Sequence, residues 1–403
     1  VTPFVIARGL SPELQGYLFT FNAILTIQTF FDLGMGTLVQ QFASHEWAHR
    51  DEARARSRLA SLSRFAFRWY GAASLLVAFG VGFGGYAYFQ SFGGRADWMG
   101  PWWSVSLLTG AAVLLTPVLS LLEGCGHVSF VYRLQFLQSV LGRIALWAAL
   151  LLGVGLWAAA AGKAALVLAG GLALASPFCR SFFQALWQEK GEGEIDWRSE
   201  IWPLQWRFAL SWLSGYLLHS LFTPVLFASH GAVVAGQMGM TLSVATAITG
   251  TAYARMATEV PHLAMAAARK EYEAMDARFR RAVVGSIFTA AAGALSFFAV
   301  LVGLRAAGYP LALRFLPPLE TAVLLAAVVV QQARYAISTY LRAHKQDPLV
   351  RLSLFEGFYA LTVSILLARF FGALGMCAGF LSVSLLLLPP AVAVLARHRA
   401  TRL

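Results

Sequence analysis

Carboxylates are scarce in this chain. Asp and Glu number 19 among 403 residues, against 31 Lys and Arg, and the four charged types together make up only 12%. A soluble domain carries about 25% charged residues, so a water-exposed surface along most of the chain is excluded. Cysteine is also rare. Cys125, Cys179 and Cys377 stand far apart without ligand spacing, which argues against a disulfide framework or a zinc site. No Ser/His/Asp, Cys/His or paired-carboxylate arrangement stands out. No enzymatic activity, metal or cofactor is therefore expected.

What is abundant is apolar sequence. Hydrophobic residues make up 58% of the chain. The apolar runs last 18 residues or more, the length of a membrane-crossing helix rather than of a barrel strand. An all-α polytopic membrane protein with about twelve transmembrane helices is expected. VTPFVIAR at the start reads as the tail of a first helix whose beginning is missing. Ser11 and Pro12 then supply an N-cap and a first helical residue. The second predicted helix runs from about Gly16 to Ser44, with FDLGMG in its middle. The fifth runs from about Phe130 to Ala158, Gly162–Lys163 is a predicted tight turn, and the sixth runs from about Ala164 to Leu186. The eighth ends near Glu259, and Pro261 opens a predicted basic loop before a ninth helix at about Val283–Leu304.

The polar stretch WQEKGEGEIDWRSEIWPLQ lies near the midpoint. It divides the chain into predicted six-helix bundles at 1–190 and 205–403, joined by a cytoplasmic linker at 191–204. The halves echo one another. Gly16 aligns with Gly236, an offset of 220 residues, and RLQFL at 133 aligns with RLSLF at 351, an offset of 218. Repeats of the same orientation imply a pseudo-two-fold axis along the membrane normal, with the site between the bundles. The loops after the even-numbered helices, with the tail, hold 22 of the 31 Lys and Arg. This asymmetry puts those loops and the C-terminus in the cytoplasm. It also explains the net charge of +12 without nucleic acid as a partner.

A few polar residues lie inside the apolar runs. Gln135, Ser139 and Arg143 recur at i, i+4 and i+8 on one face of the fifth helix. Arg143 sits about 15 Å along the axis from Arg133. Facing lipid there would cost ~2.5 kcal/mol or more, so a protein interior or a water-filled cavity is expected around it. A guanidinium suits diphosphate because it is planar and bidentate; a partner carboxylate would satisfy it equally. Arg334 shares the tenth helix with Gln331, Gln332 and Tyr335, which favours a cavity wall. Arg255 is either a ligand group or neutralised by Glu259, four residues on. His219 either lines a cavity or is a hydrogen-bonded core histidine. Arg143, Arg334, Arg255, His219 and Gln331 are thus the substrate-binding candidates. Asp32 and Glu356 are the coupling-ion candidates; the bland alternatives are capping of a helix break for Asp32 and pairing with an arginine for Glu356. Gly80, Gly82, Gly84 and Gly85 imitate a nucleotide loop, but inside an apolar helix close packing is the better account.

The stretch ARGLSPELQGYLFTFNAILTIQTFFDLGMGTLVQQFASHE resembles the N-terminal signature of polysaccharide-transport flippases of the MOP superfamily. These are the Wzx-like O-antigen and exopolysaccharide flippases, relatives of MATE exporters. The Leu-Ser-Pro turn, Gly16 and Asp32-Leu33-Gly34 carry the resemblance. It implies two bundles around a cavity, alternating access, and a polyprenyl-diphosphate-linked oligosaccharide carried from the inner to the outer leaflet. It also implies membrane lipids around the chain, H+ or Na+ coupling as an option, and a bacterial cytoplasmic membrane as the location. A MATE-like cation-coupled exporter of drugs or metabolites is the alternative, and a membrane-embedded polysaccharide-assembly enzyme a more distant one. The exporter needs cavity carboxylates, which the scarcity of Asp and Glu disfavours.

The loop charges predict that cysteines placed at Arg54, Arg198 and Arg278 resist an impermeant thiol reagent applied outside intact cells, while cysteines at Gly93 and Gly308 react. Outside labelling at position 54 or 278 would overturn the assigned topology.

Overall fold

A computed structural model describes residues 1–92, 96–189, 193–203, 205–206, 209, 220–342 and 349–400. The described residues are helical with no strand, and nine of their helical stretches are long and apolar enough to cross a membrane. The protein is a multi-pass, all-helical membrane protein. The helices fall into two compact units, 1–212 and 213–403.

The first unit contains α1 (Thr2–Gly9), α2 (Pro12–Leu25), α3 (Gln28–Asp32), α4 (Met35–Ala48), α5 (Ala53–Leu75), α6 (Gly82–Gln90), α7 (Met99–Val113), α8 (Thr116–Gly124), α9 (Val128–Leu151), α10 (Trp157–Leu174) and α11 (Pro177–Gln188). Ser11 caps α2 by accepting the Leu14 N–H at 3.2 Å, a contact worth about 1 kcal/mol. A wide π turn, Leu76–Val81, joins α5 to α6. Beside it Gly82 and Gly85 let two indoles approach the backbone. Trp102 is fully buried and donates to the Gly82 carbonyl at 2.8 Å. The glycine run is therefore a packing surface. The unit's core gathers Met35, Leu38 and Val39 of α4, Leu59, Leu62 and Tyr70 of α5, and Leu121 and Leu122 of α8.

Residues 193–203 do not hang as a free linker. Ser57 Oγ donates to the Gly193 carbonyl at 3.0 Å, and Arg56 Nε donates to Glu189 at 2.9 Å. Arg58 reaches Glu46 at 2.9 Å and Glu200 at 2.5 Å. The Arg58 guanidinium holds the Glu200 carboxyl below the usual carboxylate range. This contribution is complete above the ordinary glutamate pKa of about 4.3 and is lost as pH falls through the depressed value. The basic run after α4 thus has a structural use, which is to bind the acidic stretch that follows α11.

The second unit contains α12 (Phe222–Ala257), α13 (Val260–Ala268), α14 (Tyr272–Ala306), α15 (Pro318–Arg342) and α16 (Val350–Ala400). Two of these merge a pair of helices across a kink, at Gly231 (φ 84°) and Gly372 (φ 58°), where left-handed backbone favours a residue without Cβ.

Several predicted boundaries are corrected. The second predicted helix is not continuous: it breaks after Leu25 and again at Leu33–Gly34, both left-handed. The fifth ends at Leu151, because Gly153 and Gly155 adopt positive φ and turn the chain. Gly162–Lys163 is therefore no turn; both residues lie inside α10. The basic loop predicted from Pro261 is mostly helix, in α13 and the first turns of α14. Its charged residues are good helix formers, and Pro261 sits where proline is tolerated, in a first turn. The seventh predicted helix, about Trp206–Phe227, lies largely outside the described residues.

A Cβ on Gly85 would fall 2.0 Å from Trp102, an indole with no room to retreat. Gly85→Leu should destabilise the purified protein by about 1–3 kcal/mol through overpacking. Gly84→Leu, where nothing lies within 4 Å, should leave the unfolding temperature in detergent unchanged. Equal stability of the two variants would remove the packing account of the glycine run.

Candidate functional site

The first candidate group forms at the break between α3 and α4. Asp32 ends α3 and, in left-handed backbone, Leu33 and Gly34 redirect the chain. The freed N–H groups of Gly34 and Gly36 reach the Asp32 carboxylate, and Tyr70 of α5 donates its hydroxyl to Asp32 Oδ1. A Cβ on Gly36 would meet Tyr70 Oη at 3.2 Å and Ser120 Oγ at 3.3 Å. The small glycine makes room for this polar cluster. Asp32 thus satisfies the backbone of a helix break and accepts from Tyr70, which sequence spacing did not connect to it, with Ser120 on the other side of Gly36's open space.

In the second unit, Arg334 of α15 is ion-paired with Glu356 of α16, and both are buried, at 7% and 5% exposure. Gln331, one turn before Arg334 and only 2% exposed, adds a contact to the same carboxylate. Arg334, expected on a cavity wall, has its charge balanced inside the unit. Glu356 correspondingly takes the bland role allowed for it. Next to the pair, Gln332 donates to Ser286 Oγ at 2.7 Å, and Ser286 donates to the Ala252 carbonyl at 2.7 Å. This buried chain ties α15, α14 and α12 together.

The tied helices frame a cavity of about 390 Å³ lined by Thr246, Thr249, Gly250 and Tyr253 of α12 and Tyr335, Ser338, Thr339 and Arg342 of α15. Thr249 and Thr339 donate to carbonyls four residues back, each at 2.8 Å. Their protons are committed, and their remaining lone pairs are left to accept. Such a wall suits a ligand rich in O–H donors. Arg342 adds one positive charge, and among the described residues no carboxylate lines the space.

Farther along α12, a cleft of about 460 Å³ is lined by Arg255, Thr258, Glu259, Arg278, Arg281 and Ala282. Glu259 pairs with Arg278 at 3.6 Å and not with Arg255. Arg255 instead lies across Gly285 of α14. A Cβ there would fall 2.3 Å from Arg255 Nε, so the absence of a side chain at 285 is what seats the guanidinium. Three guanidiniums share the cleft with a single carboxylate.

Arg143 of α9 is exposed, and its guanidinium reaches Thr2 Oγ1 of α1 at 3.5 Å. Trp147 Nε1 donates to the same oxygen at 3.1 Å. His219 lies outside the described residues. Within the second unit the structure brings together Arg334, Gln331 and Glu356 and leaves Arg255 in another cleft; within the first, Asp32 and Arg143 lie on different helices. Sequence reading missed Thr246, Thr249, Tyr253 and Gly285. A signal was present at TLSVATAITGTAY, where hydroxyl residues recur along an apolar helix, but threonines that bond their own backbone look the same in sequence. Among the described residues, no cluster of three or more His, Cys, Asp or Glu is placed to hold a metal.

Solved structures share this architecture. An inward-facing MATE family multidrug resistance transporter of the MOP superfamily superposes with a TM-score of 0.72 at 14% identity, covering 99% of this chain and 93% of that one. The lipid II flippase MurJ in an inward closed conformation gives 0.72 at 10% identity, covering 97% and 83%. The MATE multidrug transporter DinF-BH gives 0.59 at 15%, covering 98% and 90%. No protein-family model and no curated protein sequence matches. The chain has the fold of MOP-superfamily transporters. At these identities the likeness is one of architecture.

The buried pair yields a stability test. Glu356→Ala leaves Arg334 charged and unpaired and should cost about 3–5 kcal/mol, whereas the double variant Arg334→Met/Glu356→Leu should unfold near the wild-type temperature. Thermal unfolding of purified variants in detergent reads this directly. A double variant as unstable as the single one would mean that the charges are not what the site protects.

Proposed function

We propose that the protein is a flippase that moves a polyprenyl-diphosphate-linked oligosaccharide from the inner to the outer leaflet of the bacterial cytoplasmic membrane by alternating access, with its C-terminus cytoplasmic. The fold is shared by lipid flippases and drug exporters alike, so it does not choose between them. The observation that supports the choice is the lining of the second unit. The threonine and tyrosine wall of α12 and α15 accepts and donates hydrogen bonds as a saccharide requires. One to two turns along α12, Arg255 shares with Arg278 and Arg281 of α14 a cleft of a size for phosphate groups. A guanidinium cluster opposite a diphosphate is worth more at a membrane-embedded surface than in water.

Export of a cationic drug would need a carboxylate to receive the charge. Glu356 is engaged by Arg334, and Asp32 by Tyr70 and the backbone of the α3–α4 break. Asp32 remains the candidate for H+ or Na+ coupling, since broken helices present just such backbone and carboxylate groups to ions.

The test is a reconstituted flip assay with a fluorescent polyprenyl-diphosphate saccharide. Arg255→Ala should reduce the rate by at least about tenfold, the loss of one charge-assisted contact. Gly285→Val, which displaces Arg255 without removing its charge, should reduce it comparably while unfolding normally. Vesicles that accumulate a cationic dye but do not flip the lipid would reject the proposal in favour of the exporter.

A further inference from the structure

Lys163 belongs to none of the clusters above. Its sequence neighbour Gly162 suggests a turn, yet α10 carries Lys163 six residues past its start at Trp157. That is about 9 Å into the helix, and Arg143 lies about 12 Å from the end of α9 at Leu151, measured at 1.5 Å per residue. Both are too deep in a hydrocarbon core of about 30 Å to be ordinary loop charges.

The two are placed side by side by the crossing of α9 and α10. Gly142 and Gly162 meet there: a Cβ on either would lie 3.1 or 3.0 Å from the other's carbonyl oxygen. The helices are antiparallel, joined by the tight turn at Gly153 and Gly155. In an antiparallel pair, the residues that directly follow the two contact positions rotate about 100° to the same flank. Those residues are Arg143 and Lys163. Gln135 and Ser139, both exposed, continue the polar stripe along the same face of α9.

This flank lacks a counter-charge. Of the helices packed on this pair, α1, α7 and α11 contain no Asp or Glu, nor do α9 and α10 themselves. The one acid of α8, Glu123, lies just before the start of α9 at Val128, about 22 Å along that helix from Arg143. Among the described residues neither Lys163 nor Arg143 has an ion-pair partner; Arg143 has only the Thr2 hydroxyl. The contrast with Arg334 is direct, because that arginine carries its own glutamate. Charged groups in a membrane pair with each other or mark a ligand path. With no carboxylate paired to them among the described residues, a neutralising charge from a molecule outside the chain fits this flank.

We propose that Arg143 and Lys163 form a two-cation site for the phosphate of a lipid headgroup, on the α9–α10 flank and toward the membrane face opposite the basic loops. This rests on the anionic-lipid reading of the function and extends it, adding a second phosphate site to the cleft of Arg255, Arg278 and Arg281. The phosphate could belong to the carried diphosphate lipid or to bulk phospholipid.

The experiment measures binding of geranylgeranyl diphosphate to the purified full chain in phosphatidylcholine nanodiscs and again in phosphatidylglycerol nanodiscs. In phosphatidylcholine, Lys163→Gln and Arg143→Gln should each weaken binding about tenfold. Lys163→Arg should stay within about twofold, and all three should unfold at the wild-type temperature. Persistence of the Lys163 effect in phosphatidylglycerol identifies the carried lipid as occupant. Its disappearance there identifies bulk phospholipid, and the two-cation assignment stands in either case. If wild type binds, Arg255→Ala binds poorly and Lys163→Gln binds normally, this inference falls and the flippase reading survives. If wild type does not bind the diphosphate in either membrane, both fall.

Discussion

The cost of an unbalanced charge in hydrocarbon organises this molecule. Nearly every deep polar group in it can be understood by asking where its counter-charge comes from. Arg334 and Glu356 answer the question internally: each is buried, each would be costly alone, and together with Gln331 they form a closed polar knot between α15 and α16. Asp32 is answered by backbone N–H groups at a helix break and by the Tyr70 hydroxyl. Arg255 and its neighbours are only partly answered by Glu259, and among the described residues Arg143 and Lys163 have no ion-pair partner. The charges therefore sort into those paired inside the protein and those that are not.

Glycine is the second recurring device, and it acts in two ways. At Gly34, Gly231 and Gly372 it permits left-handed backbone, so that a helix can stop and restart inside an apolar run. At Gly85, Gly142, Gly162 and Gly285 it is used for its missing side chain. The gap admits an indole at the first, a neighbouring backbone at the next two and a guanidinium at the last. The same residue type therefore sets both the breaks in the helices and the seats of the functional side chains. Polar hydroxyls complete the pattern, because Thr249, Thr339 and Ser286 satisfy themselves on carbonyls and so can lie in apolar helices at little cost.

Much of the architecture was legible in the residues. Long apolar runs, few charges and basic even-numbered loops suffice to read a polytopic helical membrane protein. The N-cap at Ser11 was visible as local chemistry. The break inside FDLGMG and the end of α9 were not placed correctly. Membrane helices tolerate glycine at many positions, and only packing decides which glycines turn the chain. Gly153 and Gly155 do, while Gly162 packs.

The sequence by itself determined the solvent, the secondary structure and the sign of the charge excess, because these follow from composition and from patterns within one turn or one span. Which deep residues share a site was decided only by the tertiary structure. Arg143 and Arg334 look alike in one dimension, each a guanidinium on a polar stripe of an apolar helix. What separates them is a carboxylate 22 positions away from Arg334 in the chain and in contact with it in the fold, with no equivalent beside Arg143. Pairing of charges depends on distances across helices, and those distances are set by packing that sequence spacing does not contain.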